Sequence, residues 1–150
     1  MELKIGKAVA ANRAGFTLIE IMVVVMIISI LAGIVGYTVV GRIDDAKASA
    51  ARNQIANFDG ALKMYRLDNG EYPDTQQGLK ALVEKPSVGK VPKKWKKYLE
   101  KDKVPQDPWG FDYVYIAPGT HGEYDMMSYG ADGEPGGDGK NKDISSWESE

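Results

Sequence analysis

The chain divides into one long apolar run and a polar remainder. Residues 16–40 are almost all aliphatic or small, and Glu20 is the single charged residue among them. Because an α-helix rises about 1.5 Å per residue, about 20 apolar residues cross a hydrocarbon core about 30 Å thick. The run therefore predicts a membrane-spanning helix over 16–40. The alternative is a buried core helix, but the polar remainder offers too little apolar surface to enclose one on every side.

Beyond this run, apolar residues recur with a period close to that of an α-helix. The spacing predicts that the helix continues over 41–67 as an amphipathic segment, which must pack one face against the rest of the chain. Asn69 and Gly70 favour a stop after the segment, and Pro73 makes further continuation unfavourable. The candidate apolar positions are Ile43, Ala46, Ala50, Ile55, Phe58, Leu62 and Tyr65.

The remaining residues, 68–150, predict a small globular domain. Thr75 is placed to cap a short helix that runs to about Val83. Alternating apolar and polar residues predict two strands around a turn at Pro118 and Gly119, followed by a third strand. The predicted strands are 111–117, 123–129 and 144–147. The fold class is therefore α+β: a long N-terminal helix, transmembrane in its first half, packed against a small antiparallel sheet.

The length of 150 residues and the hydrophobic content of 43% suit one modest domain. Its charges set the expected orientation of the helix. Lys4, Lys7 and Arg13, against Glu2, precede the apolar run. The positive-inside bias thus predicts a cytoplasmic N-terminus and export of everything after residue 40. A cleavable secretory signal is the alternative, but it would have a shorter apolar stretch and a small-residue cleavage site.

Two features of the sequence, a lysine-rich segment and a single histidine, raise the possibility of nucleic-acid binding or catalysis. Neither function is favoured. The lysine-rich segment 90–105 interleaves charge with Trp95 and Tyr98, a pattern also found in nucleic-acid binding. The rest of the exported part is acidic, so a solvated loop with its aromatic rings turned inward is favoured, and no nucleic-acid partner is expected. His121, the single histidine, is interpreted as a surface residue. No enzymatic activity is predicted.

The C-terminal segment 129–144 combines glycines with carboxylates. It fails as a phosphate-binding loop, because Glu134 stands where that motif needs its first glycine and Asn141 replaces the hydroxyl residue. Calcium suits it better, since this ion takes about six to eight oxygen ligands. The candidate ligands are Asp132, Asp138 and Asp143. A mobile acidic loop is the alternative. The chain has no cysteine, so a metal ion would supply the rigidity that a disulfide cannot.

Glu20 requires an explanation, because a carboxylate costs about 2.5 to 3.5 kcal/mol at the centre of a membrane and less near an end. No basic residue lies within one helical turn of Glu20 in the run. One interpretation is that its carboxylate reaches back to the cytoplasmic headgroups. The other is that a cut between Gly15 and Phe16 creates an α-amino group, which pairs with Glu20 of a neighbouring copy.

The stretch GFTLIE, from Gly15 to Glu20, follows a basic leader and opens the long apolar helix. Together these features resemble the cleavage and methylation signature of type IV pilins and pseudopilins. The resemblance implies that a prepilin peptidase removes the leader 1–15 after Gly15 and methylates the new N-terminal residue, Phe16. It also implies that Glu20 is needed for assembly.

Three further stretches narrow the resemblance to the major pseudopilins of type II secretion systems. They are YRLDNGEYPDTQQGLKALV from Tyr65, DPWGFDY from Asp107, and GADG followed by DI and a tryptophan near the C-terminus. The resemblance covers nearly the whole chain and implies one calcium ion in the C-terminal loop.

The same resemblance implies a set of calcium ligands by position. Asp132 and Asp143 match side-chain ligands, and the carbonyl of Tyr129 matches a main-chain ligand. Lys142 stands where some relatives carry another acidic ligand. Asp138, or carbonyls near the glycines that precede it, would complete the site.

The resemblance implies a subunit of a helical, homo-oligomeric filament. A single span would anchor it in the bacterial inner membrane, with the C-terminal domain in the periplasm. Filament growth would drive folded proteins through an outer-membrane channel, with minor pseudopilins and an inner-membrane assembly platform as partners. Two alternatives remain open: a type IV pilin of a surface fibre for adhesion or motility, and a DNA-uptake pseudopilin that uses the lysines of 93–103.

Overall fold

The structure is a computed structural model that describes residues 15–148, apart from the side chains of 36–40. Residues 1–14, with the charges on which the predicted orientation depends, lie outside the described residues. The chain forms two compact units that divide between Val40 and Gly41. A long helix, α1, contributes to both units, and a small sheet belongs to the second.

Helix α1 spans Leu18–Asn69, 52 residues, against 16–67 in the prediction from the apolar pattern. At its end, Gly70 adopts a positive φ of 88° and donates its N–H to the carbonyl of Arg66 at 2.6 Å. Glycine is favoured at this position because it has no side chain to oppose left-handed backbone. The helix therefore ends where the sequence predicted a stop.

In the first unit, α1 contains an 18-residue window, Leu18–Val35, with a mean hydropathy of 2.9 and no buried residue. By length and composition this window can cross a bilayer. A helix in the core of a soluble domain would be mostly buried. The exposure of this window therefore argues against the buried core helix considered as the alternative.

In the second unit, α1 buries a single stripe against the rest of the domain. The buried residues of this stripe are Ala51, Ile55, Phe58, Ala61, Leu62 and Tyr65. The stripe agrees with the prediction from Ile55 onward, but Ile43, Ala46 and Ala50 are exposed. These three predictions were wrong because the hydrophobic core contacts the helix only from Ala48 onward, and a periodic pattern does not say where a partner surface begins.

The short helix predicted to start at Thr75 is a 3₁₀ helix, Leu79–Leu82, preceded by a turn. Thr75 does not cap it, because its Oγ1 donates to the carbonyl of Ala117 (3.0 Å) and accepts from the N–H of Ala117 (2.8 Å). Asp74 and Gln77 exchange hydrogen bonds instead: Gln77 N donates to Asp74 Oδ1 (2.8 Å), and Asp74 N to Gln77 Oε1 (3.3 Å). The predicted cap was wrong because the hydroxyl of Thr75 pairs with a residue 42 positions away.

Three antiparallel strands form one sheet in the order β1-β2-β3. The strands are β1, Val114–Ile116, β2, Asp125–Ser128, and β3, Ile144–Ser145. In the register of the sheet, Val114 pairs with Met127 and Ser128 pairs with Ile144. All three strands are shorter than predicted, because flanking residues bond elsewhere; Ala117, for example, bonds to Thr75 instead of to β2.

The core lies where the buried stripe of α1 meets β1 and β2. The ring of Phe58 packs edge-on against Tyr113, with centroids 5.2 Å apart, and Met126 is fully buried. The half-buried rings of the lysine-rich segment also contact this domain: Trp95 Nε1 donates to the carbonyl of Ala81 at 2.7 Å, and Tyr98 packs near the core. The α+β architecture and the inward aromatic rings are therefore confirmed.

Candidate assembly and cation-binding sites

The predicted cleavage junction lies immediately before α1. Gly15 and Phe16 are outside the helix and exposed, and Phe16 is 84% accessible. Thr17 takes the N-cap position, because its carbonyl accepts the first helical hydrogen bond, from Ile21 N at 3.3 Å. An exposed, non-helical peptide bond is what a peptidase requires.

The carboxylate of Glu20 has partners in its own chain. Its Oε2 accepts hydrogen bonds from Thr17 N (2.8 Å) and Thr17 Oγ1 (2.9 Å), and Glu20 N donates to Thr17 Oγ1 (3.3 Å). This reciprocal arrangement is a capping box. It satisfies donors that the first turn of a helix leaves unpaired, and it places negative charge at the positive end of the helix dipole.

Neither sequence interpretation of Glu20 included this capping role. The signal was present, since threonine followed three residues later by glutamate before an apolar run is the mark of a capping box. Both bonds from Thr17 reach the same oxygen, Oε2, and neither involves Oε1. The cap therefore uses Oε2 of Glu20 and does not use Oε1.

Every residue of the apolar window Leu18–Val35 is exposed. The accessibility of its large side chains includes 78% for Leu18, 65% for Met26 and 63% for Ile34. A soluble protein rarely exposes so large an apolar surface unless it meets a membrane or another protein. The helix is therefore a surface for lipid or for other apolar helices.

The C-terminal loop, 129–143, connects β2 to β3. Its glycines let the chain turn back closely on itself: a Cβ on Gly130 would lie 2.9 Å from the carbonyl oxygen of Lys142, and one on Gly137 would lie 2.6 Å from that of Asn141. Both glycines also have positive φ values, 70° and 86°. The loop thus depends on glycine for its compact shape.

The three candidate aspartates occupy different environments in this loop. Asp143 Oδ2 accepts from Gly136 N at 2.9 Å, while its Oδ1 is buried without a hydrogen-bond partner. Asp132 Oδ1 accepts from Glu134 N at 3.2 Å. Asp138 is exposed and precedes a short 3₁₀ turn. The buried, unpartnered oxygen of Asp143 is the atom that a cation would satisfy most directly.

These aspartates do not converge into one group of side chains. Between residues 15 and 148, no three histidine, cysteine or acidic side chains are placed to hold a metal ion together. A calcium site in the loop would therefore need main-chain carbonyls, such as that of Tyr129, beside the carboxylates. Calcium accepts such carbonyl ligands readily.

The turn before β2 is organised by a buried carboxylate, that of Asp125. Its oxygens accept from Thr120 N at 2.7 Å, Thr120 Oγ1 at 3.0 Å and His121 N at 3.1 Å. His121, predicted as a surface residue, has a half-exposed side chain whose ring stacks on Trp147 at 4.0 Å between centroids. Burial alone would raise the pKa of Asp125, but the hydrogen bonds outweigh it and lower this pKa to about 2.

The lysine-rich segment is partly neutralised by its own domain. Lys96 lies 2.8 Å from Asp68 Oδ2, and Lys90 lies 2.8 Å from Glu71 Oε1. The pKa of Asp68 is lowered by the hydrogen bond from Lys96. These pairs connect the segment to the end of α1 and to the chain just after it.

Comparison with known proteins gives matches along nearly the entire chain. The family model described as type II secretion system (T2SS), protein G, matches residues 38–147, and that of the prokaryotic N-terminal methylation motif matches residues 10–36. The type II secretion system core protein G of Pseudomonas aeruginosa is 51% identical over 137 residues, covering 91% of this chain and 96% of that protein. The protein of the same name in Vibrio cholerae is 44% identical over 136 residues, covering 91% and 92%.

A solved structure agrees with these matches. The crystal structure of the major pseudopilin from the type 2 secretion system of enterohaemorrhagic Escherichia coli superposes with a TM-score of 0.62 at 39% identity, covering 72% of this chain and 92% of that chain. The apolar helix, together with these similarities, marks a membrane-anchored protein. The chain belongs to the type II secretion system protein G family, the family of the major pseudopilins.

Proposed function

We propose that the chain is the major subunit of a periplasmic pseudopilus, a helical filament whose growth drives folded proteins across the outer membrane. The observation that carries the proposal is a fully exposed apolar helix, Leu18–Val35, joined to a domain of this family. A bilayer covers this helix in a single subunit, and copies of the same helix cover it in a filament. Ser29, Ala32 and Gly33 are small enough to let such helices approach closely.

Processing precedes assembly in this proposal. The basic leader stays in the cytoplasm, α1 crosses the inner membrane once, and the domain after residue 40 lies in the periplasm. A prepilin peptidase cuts after Gly15 and methylates Phe16. Support comes from the methylation-motif match over residues 10–36 and from the exposed, non-helical junction.

Glu20 then exchanges one partner for another. In the single subunit its carboxylate caps Thr17. A capping interaction contributes only about 1 kcal/mol. After cleavage, the α-amine of Phe16 in a neighbouring copy offers a donor with a full positive charge, so its bond to Glu20 is an ion pair as well as a hydrogen bond, whereas Thr17 offers only neutral donors. The exchange sets the axial position of each subunit against the next.

Calcium stabilises the periplasmic domain through the C-terminal loop. Support comes from the oxygens of this loop: Asp143 has a buried, unpartnered oxygen, and Asp132, Asp138 and the carbonyl of Tyr129 would supply further ligands. Ordering such a loop costs roughly 1 to 2 kcal/mol per residue in backbone entropy. A ligand that binds only the folded loop offsets this cost.

The remaining partners follow from the same role. Minor pseudopilins begin the filament, and an inner-membrane assembly platform extends it with new copies of this chain. The subunit itself is structural and catalyses no reaction. Similarity to secretion-system core proteins across nearly the whole chain supports this assignment over a surface fibre or a DNA-uptake filament.

Intact-mass spectrometry of the protein purified from its host membrane tests the proposal. The expected mass is that of residues 16–150 plus one methyl group on Phe16. The same chain produced in cells without a prepilin peptidase is the control, and it should keep residues 1–15. An intact N-terminus in the native host, or a cut beyond residue 40, would contradict the assembly model.

A further inference from the structure

The turn between Asp107 and Phe111 is built around a buried carboxylate. Asp107 is only 5% exposed. Its Oδ1 accepts hydrogen bonds from Trp109 N (3.0 Å) and Phe111 N (2.8 Å), and its own N–H donates to the carbonyl of Phe111 (2.8 Å). A buried carboxyl group that accepts several hydrogen bonds holds its surroundings in one geometry. The position of Phe111 is therefore fixed by Asp107.

The other oxygen of Asp107 reaches the start of the C-terminal loop. Ser128, fully buried at the end of β2, donates its hydroxyl to Asp107 Oδ2 at 2.5 Å. The same hydroxyl oxygen accepts from Gly130 N at 3.3 Å. One carboxylate thus connects the turn to the first residues of the loop.

The ring of Phe111 contacts the middle of the loop. A Cβ on Gly133 would lie 2.7 Å from Cε1 and 2.8 Å from Cζ of Phe111, so the ring packs directly on the backbone of this glycine. Gly133 lies between Asp132 and Glu134, and its φ is positive, 69°. Phe111 itself is 41% exposed, so its ring packs on Gly133 while part of the residue stays open to solvent.

We propose that Asp107 and Phe111 are positioning residues for the C-terminal loop, which they hold in its calcium-binding conformation before the ion arrives. The inference rests on the calcium site proposed above and adds the residues that prepare it. A loop that is already ordered gives up less of the binding free energy to its own ordering. Neither residue is a ligand; each acts through Ser128, Gly130 or Gly133.

Calcium titration of the detergent-solubilised full chain tests the role of Phe111. Phe111→Ala should raise the dissociation constant for calcium by about 10-fold or more. Losses of this size are found when residues that orient metal ligands are removed. Ile116→Ala is the matched control, because Ile116 is 40% exposed and lies on β1. The control should bind calcium with the affinity of the wild type.

Hydrogen exchange in the presence of a chelator adds a measurement that needs no calcium. Amides of 130–143 should exchange faster in Phe111→Ala than in the wild type, while Ile116→Ala leaves their exchange unchanged. Ser128→Ala, which removes the link to Asp107, should have the same effect on the loop. These amides report loop order directly.

A double-mutant cycle locates the contact. Gly133→Ala should weaken calcium binding more in the wild type than in Phe111→Ala, because the new methyl group meets the ring only when the ring is present. Unchanged calcium affinity and unchanged loop exchange in Phe111→Ala would overturn this inference alone. A wild type that binds no calcium would overturn both this inference and the calcium site.

Discussion

Glu20 accepts two hydrogen bonds from Thr17 within its own chain, so an alanine substitution would remove a helix cap and a charge together. Glutamine separates the two roles. Its amide oxygen can still accept from Thr17 N, but it carries no charge for an incoming amine. The distinction matters because a cap stabilises each subunit, whereas a charge pair acts only between subunits.

We therefore predict that Glu20→Gln inserts normally and abolishes filament assembly, because no ion pair with the amine of Phe16 can form. Sheared filaments and secreted protein in a complemented deletion strain provide the measurement. Thr17→Ser keeps the capping hydroxyl and should assemble. Normal filaments from Glu20→Gln would mean that capping, not charge, is the contribution of Glu20.

Asp125 is 2% exposed, and its pKa of about 2 in the folded protein lies below the value of about 3.9 for an unfolded aspartate. Its contribution to stability, about 2 to 3 kcal/mol, is therefore present above about pH 5 and is lost as the pH falls toward 2. Asp125→Asn should lower the free energy of unfolding by this amount at pH 7 and much less at low pH. Denaturant titrations at several pH values measure the difference, with the exposed Asp112→Asn as control.

Among the elements, α1 combines two kinds of surface in one helix. Leu18–Val35 is exposed throughout, whereas from Ala51 to Tyr65 one stripe is buried. The periodic pattern predicted both parts, since a continuous apolar run and a stripe at helical spacing are visible in the sequence. It could not predict the first buried turn, because that depends on where the core of the domain begins to pack on the helix.

Phe58→Ala should destabilise the domain by about 3 to 5 kcal/mol, since it removes a fully buried ring and leaves a cavity beside Tyr113. Leu67→Ala, on the same helix, is the matched control, because Leu67 is 78% exposed. It should change stability by less than about 0.5 kcal/mol. Comparable losses from the two variants in denaturant unfolding would show that the stripe is not the core.

Elements held by distant partners were harder to predict than α1. Thr75 has the sequence of a helix cap, yet its hydroxyl pairs with Ala117, and Gly78 takes the N-cap position without a side-chain hydrogen bond. The strands likewise shorten where their ends find partners outside the sheet. Local propensity identifies which segments form elements, but contacts far along the chain decide their ends.

At the scale of the whole molecule, calcium should act on the stability of the domain. Chelation should lower the melting temperature, by about 4 to 8 °C for each kcal/mol of binding free energy lost. Asp132→Ala should melt lower in calcium and respond less to chelation, and Asp112→Ala is the exposed control. A melting curve that is the same with calcium and with chelator would remove the structural role of the ion.

Part of each candidate site could be predicted from the sequence, and part could not. The GFTLIE stretch and the glycine-rich loop were identifiable from residue type and spacing alone. The support of the loop was not, because Asp107 and Ser128, like Phe111 and Gly133, lie far apart in the sequence and meet only in the folded domain. Neither pair has a spacing that a local pattern could reveal.

The exposed apolar surface of Leu18–Val35 affects how subunits are supplied to a growing filament. Such a helix has no stable form in water, so every subunit awaiting incorporation must be stored in lipid. The waiting subunits are confined to the plane of the membrane, and they reach a growing filament by lateral diffusion. At a fixed rate constant for subunit addition, the speed of elongation then scales with the number of copies per unit of membrane area.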